Sequence, residues 1–73
     1  MDSSDLAKVS RMRELAESGA ARRRREARRI SVSELAQSLG VPASQLSRWE
    51  RGRNAPRPAA AITWYDALQE LNG

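Results

Sequence analysis

The stretch SLGVPASQLSRWERG, residues 38–52, holds Ser44, Gln45, Ser47, Arg48 and Arg51 within eight positions. Hydroxyl, amide and guanidinium groups are the ones that hydrogen-bond base edges and phosphate oxygens. Ala43 and the serines beside it are small enough for a backbone to come close to a partner. This is the chemistry of recognition. The rest of the chain offers little for catalysis: it has no Cys and no His, which removes disulfides, thiolate ligands, the usual general base and the commonest metal ligand. Enzymatic chemistry would rest on carboxylates, Lys8, Tyr65 or hydroxyls, in a 73-residue chain with little scaffold to shift their pKa values. The expectation is a protein that is not an enzyme and carries no metal or cofactor.

Charge points to the partner. Net charge is +4, and 12 of the 13 basic residues are Arg. Residues 1–18 are slightly acidic and residues 32–73 are balanced, so the excess sits in ARRRREARRI, where six arginines face a lone Glu26. Such a cluster implies a polyanion, with nucleic acid ahead of an anionic membrane. A membrane surface would need an apolar face opposite the arginines, and residues 20–29 offer only alanines. No apolar run approaches the roughly 20 residues that span a bilayer, and the MDSSDLAKVS start is not signal-like. The expectation is a cytoplasmic protein.

These residues need elements to position them, and the periodicity throughout is helical. A first helix starts at Ser3 or Ser4, carries Leu6, Val9, Met12 and Ala16 along one stripe with Leu15 beside it, and ends near Ser18 and Gly19. A second segment, residues 19–29, offers Ala20 and Ala27 to a core. Six arginines in its eight positions from 22 to 29 cannot share one face, so some snorkel or pair inward, unless the segment is a solvated connector. Ser31 with Glu34 forms a capping box that starts a third helix, where Val32, Leu35, Ala36 and Leu39 make an apolar face. Gly40 closes it. Pro42 opens a fourth helix, which runs to about Arg51, turns Leu46 and Trp49 inward, and is stopped by Gly52. RGRNAPRP, residues 51–58, reads as a loop, and a last helix spans about Pro58 to Leu71 with Ala61, Trp64, Tyr65, Leu68 and Leu71 at helical spacing. Trp64 and Tyr65 suit either the core or a dimer surface.

Two short helices joined through GVP form a helix-turn-helix, the unit that lays its second helix in the major groove of duplex DNA. At ISVSELAQSLGVPASQLSRWERGRNAP, with ELA before an LGV turn and SRWERG closing the second helix, the chain resembles the Cro and lambdoid-repressor (XRE-type) helix-turn-helix family. The resemblance covers residues 19–71. It implies an all-α, lambda-repressor-like bundle of four to five short helices, with residues 1–18 as an N-terminal helical extension and 19–73 as the DNA-binding domain. By the same resemblance Ala43, Ser44, Gln45, Ser47 and Arg48 face bases, Gln45 lying beside a backbone, and Arg48 has the guanidinium suited to a bidentate guanine contact.

Arg51 and Arg53 would flank the groove and meet phosphates, with Arg57 and Asn54 further along. Arg22, Gln37 and the amide of Val32, at a helix N-terminus, join that phosphate set. Glu50 resembles the family acid that pairs with an arginine of the preceding helix, here Arg25; the alternative is an exposed Glu among neighbouring arginines. Arg24 departs from the family, which usually carries an aliphatic core residue there, so the packing or register of that helix is in question. The stripe of residues 3–17 lies outside the minimal family domain and would either cap a small core or join a dimer contact.

The resemblance implies double-stranded DNA as partner, no small-molecule effector, and a homodimer as an open option. With no sensor or oligomerisation domain appended, the chain is expected to act as a Cro-like repressor. Two other readings use the same fold: an architectural or excisionase-type recombination-directionality protein, and an antitoxin-like protein-interaction module, against which stands the absence of a tail after Leu71.

Overall fold

A computed structural model describes residues 1–72. Five helices succeed one another: α1 (Ser3–Glu17), α2 (Ala20–Ala27), α3 (Val32–Leu39), α4 (Ala43–Glu50) and α5 (Pro58–Asn72). The protein is all-α, and no strand occurs among the described residues.

The cap of α1 is Asp2 rather than Ser3 or Ser4: its carboxylate accepts from the Asp5 amide at 2.8 Å. A carboxylate combines hydrogen-bond acceptor and negative charge at the positive end of the helix dipole, which a serine hydroxyl does not. The buried stripe of α1 is Val9, Met12, Leu15 and Ala16, whereas Leu6, at 56% exposure, stands at the rim. The helix stops where the Ser18 amide closes on Glu14 and the Ser18 hydroxyl donates to the Leu15 carbonyl, and the chain turns at Gly19. α1 packs most extensively on α5, antiparallel to it, with Lys8 against Asp66 at 3.1 Å and Arg13 near Pro56.

In α2 the buried positions are Ala21 and Arg25, and Ala27 is exposed. The turn at Gly19 sets the phase of the short helix, so its inward face falls on 21 and 25, one helical repeat apart. Ala20, the other alanine expected inward, is only half-buried against the core.

α5 starts with Pro58 in its first turn, where a missing amide costs no helical hydrogen bond. It sends Ala61, Trp64 and Leu68 into the centre, all fully buried, while Tyr65 and Leu71 are half-buried. One core joins all five helices, with Trp64, Met12, Leu46 and Leu68 as its largest fully enclosed side chains. The Trp49 and Trp64 rings lie 5.6 Å apart and tilted by 34°, so α4 rests on α5 through an aromatic pair.

Candidate nucleic-acid interface

The two helices that would meet DNA are short, and their ends are specified locally. At the start of α3 the Ser31 hydroxyl accepts from the Glu34 amide at 3.0 Å, and the Glu34 carboxylate accepts from the Ser31 amide at 2.8 Å. That amide holds the Glu34 carboxyl below its ordinary pKa. At the other end Gly40 adopts φ 73°, a left-handed conformation that a side chain disfavours, and the Gly40 and Val41 amides return to the Gln37 and Ala36 carbonyls. Pro42 is the residue before α4, in extended conformation, and its carbonyl accepts from the Gln45 and Leu46 amides. The turn is therefore fixed by backbone bonds on both sides.

α4 divides cleanly. Leu46 and Trp49 are buried behind it; Ser44, Gln45 and Arg48 are exposed in front, with Ala43 and Ser47 half-buried at the shoulders. Gln45 and Arg48 share one groove with Asn54 and Arg57 of the α4–α5 loop. On the other flank, Arg22, Val32, Ser47 and Arg51 line a smaller cleft around Arg25 and Glu50. Base-facing and phosphate-facing candidates thus occupy adjoining walls on both sides of α4. Arg53 is exposed in the loop, and Gln37 is exposed on α3, grouped with neither cleft. Arg48, Arg51, Arg53 and Arg57 enter no ion pair among the described residues. Arg22 is paired to Glu26 at 3.3 Å, with both side chains more than half exposed, so water and salt weaken the contact.

Beneath α4 lies a buried clamp. Arg25 donates to both oxygens of the Glu50 carboxylate, from Nε at 2.7 Å and Nη2 at 3.0 Å, and its third nitrogen, Nη1, donates to the Ile30 carbonyl at 2.8 Å. The hydrogen bonds it donates to Glu50 raise the Arg25 pKa further above its already high value, so the guanidinium stays charged at any working pH. One side chain thereby ties α2 to the end of α4 and to the turn entering α3. That turn passes through Arg29 at φ 57°, a left-handed conformation uncommon for a residue with a side chain. The bond to Ile30, directly after it, fixes the chain there.

Sequence reasoning has no means of finding the Ile30 carbonyl, since it is a backbone group brought in by a turn. Arg24, next to the clamp, is half-buried and leaves Nη1 enclosed without a hydrogen-bond partner among the described residues. Arg24 leaves its neighbour free to reach Glu50. A second contact hidden from the sequence is Arg13 Nη2 donating to the Pro56 carbonyl at 3.5 Å, between positions 43 residues apart with no local pattern to relate them.

A glycine-joined pair of eight-residue helices, the second buried behind and polar in front, defines a DNA-binding helix-turn-helix domain. A family model described as helix-turn-helix matches residues 22–69, most of the chain. The chain belongs to this helix-turn-helix family, the XRE type of Cro and the lambdoid repressors. No curated protein and no solved structure matches it. The matched region takes in α3 and α4 whole, with most of α2 and α5, and leaves α1 outside. Among the described residues no helix is long and apolar enough to cross a membrane.

Proposed function

We propose that this protein is a sequence-specific regulator of transcription, a small Cro-like repressor acting in the cytoplasm that inserts α4 into the major groove of duplex DNA. The observation that carries the reading is the two-sided character of α4. Its apolar side is locked by Leu46, Trp49 and the Arg25–Glu50 clamp, while Ser44, Gln45 and Arg48 stand exposed on the other side. A rigidly held polar face of small residues with one guanidinium suits base edges better than a membrane or a small molecule.

In this reading Ala43, Ser44 and Ser47 allow close approach, and Arg48 reads a guanine. Gln45 reaches a base edge or the adjoining backbone. Arg22, Arg51, Arg53, Asn54 and Arg57 hold phosphates on the flanks, joined by Gln37 and the Val32 amide at the start of α3. The contacting residues all lie within 19–73, and α1 serves the core. Two copies on half-sites about 34 Å apart would complete a palindromic operator.

Selection from random duplexes at about 0.15 M salt tests this directly, since exposed charge contacts are screened there. The expected result is an enriched motif with two-fold symmetry. Binding without enrichment would replace the reading with an architectural role in bending DNA, and absence of binding would point to a protein partner. Within a confirmed motif, Arg48→Ala should lose about 1–3 kcal/mol of discrimination at one base pair and keep most nonspecific affinity. Arg51→Ala should weaken all duplexes alike and lower the salt slope by about one unit.

A further inference from the structure

We propose that α1, the helix outside the matched family region, holds the α4–α5 loop in its duplex-binding shape, with Arg13 as the positioning residue. The inference rests on the duplex-binding reading for its purpose, and on the contacts between α1 and the loop for its substance.

The loop between α4 and α5 carries Arg51, Arg53, Asn54 and Arg57, all exposed. Its own backbone bonds secure its two ends: the Gly52 amide donates to the Trp49 carbonyl at 3.1 Å and the Arg53 amide to the Arg48 carbonyl at 3.0 Å, and the Arg57 carbonyl accepts from the Ala61 amide at 2.8 Å. The remainder of the loop is held from outside. Gly52 faces α1, where even a Cβ on it would stand at ordinary van der Waals distance, 3.9 Å from the Glu17 Cα. At the far end, Pro56 is buried and its carbonyl accepts from Arg13 at 3.5 Å.

Arg13 and Glu17 are one helical turn apart on the same face of α1, and with Gly52, Asn54, Ala55 and Pro56 they enclose a small cleft between helix and loop. The loop is therefore bonded to α1 at Pro56 and faces it across the cleft at Gly52, with Arg53, Asn54 and Ala55 exposed between them. α1 is a firm support because Met12 is fully buried and Lys8 meets Asp66 on α5. A basic loop that must be ordered at the moment of binding lowers affinity, and one held in advance does not. Arg13 acts through the Pro56 carbonyl and not by touching DNA.

The test compares the wild-type protein with Arg13→Ala, Arg13→Lys and Arg11→Ala, reading amide hydrogen exchange and duplex affinity as a function of salt. Arg11 pairs with Glu14 on the same helix, so its variant removes the same charge away from the loop. For Arg13→Ala the Ala61 amide, bonded to the Arg57 carbonyl just after Pro56, should exchange about twofold faster, the low end for one net hydrogen bond as suits a 3.5 Å contact, while the Leu35 amide is unchanged. Duplex affinity should fall by a similar factor with the salt slope unaltered, because the number of phosphate contacts stays the same. Arg13→Lys, which can still donate to the Pro56 carbonyl, should restore most of the protection, and Arg11→Ala should leave the loop as in the wild type.

Unchanged Ala61 exchange in Arg13→Ala overturns the proposal. So does equal acceleration of Leu35, which would make Arg13 merely part of global stability, or a salt slope lowered by about one unit, which would make it a phosphate contact. If the wild-type protein binds no duplex, the regulator reading falls, and the exchange comparison still decides whether Arg13 holds the loop.

Discussion

α3 and α4 are eight residues each and α1 and α5 fifteen, and the two pairs keep their shape by different means. The short pair bears its instructions at its ends: a capping box before α3, a left-handed glycine after it, and a bidentate ion pair on the last residue of α4. Isolated helices of this length are marginal in water, so end groups and tertiary contacts decide whether they form. The long pair has end groups too, Asp2 before α1 and Pro58 in the first turn of α5, but at nearly twice the length it buries more along its faces, with Met12, Trp64 and Leu68 fully enclosed. Residues freed from packing on the outer face of α4 are thereby available for a partner, because the helix is secured from behind and at its ends.

Breaking the clamp should give the largest effect. Glu50→Ala leaves the Arg25 charge buried and unpaired, for a loss of about 3–5 kcal/mol in urea unfolding. That is a large part of the whole stability of a chain this size, which is on the order of 4–11 kcal/mol. Replacing both partners, as Arg25→Met with Glu50→Leu, should recover most of that loss, since an apolar pair of similar volume is often neutral or better. A double variant as unstable as the single one would move the fault from the unpaired charge to lost packing.

On the long pair, Met12→Ala should cost about 2–5 kcal/mol by the same measurement, the range for emptying a well-packed site. An effect below that range would make α1 an appendage to the bundle and sharpen the contrast in the opposite direction. Leaving the core for the helix ends, Ser31→Ala should cost about 1 kcal/mol, as loss of a cap does.

The capping box also has a pH signature. The folded state holds the Glu34 carboxyl below its ordinary pKa, so its contribution is present above the unfolded value and disappears as pH falls through the folded one. Acid titration of stability should therefore be flatter in Glu34→Gln than in the wild type. Smallest of all, Leu6→Ala at the rim of α1 should stay within about 0.5 kcal/mol of wild type in thermal unfolding.

The same contrast explains what can be read in the sequence. Ser31 and Glu34, Gly40, and the inward pair Leu46 and Trp49 are local patterns, and a local pattern is visible in a string of letters. The meeting of Arg25 with Glu50 is implied by family resemblance, since no local rule relates positions 25 residues apart. The phase of α2 escapes periodicity because it depends on the turn at Gly19, whose geometry moves the inward face from Ala20 and Ala27 to Ala21 and Arg25. The cap of α1 falls one or two residues before the expected serines because three capping types, Asp2, Ser3 and Ser4, stand in succession. That α1 shares one core with the family region, and touches the basic loop, depends on how its stripe docks on α5.

The tilted contact between Trp49 and Trp64 links the back of the recognition helix to the centre of the bundle, and these are the only tryptophans in the chain. Two indoles held at a fixed skew couple their electronic transitions, so the molecule carries an intrinsic optical gauge of how α4 is seated. Circular dichroism in the ultraviolet bands of indole would track that seating without an added dye, and a strain transmitted through α4 on meeting a duplex would be written into the spectrum of residues that never touch it.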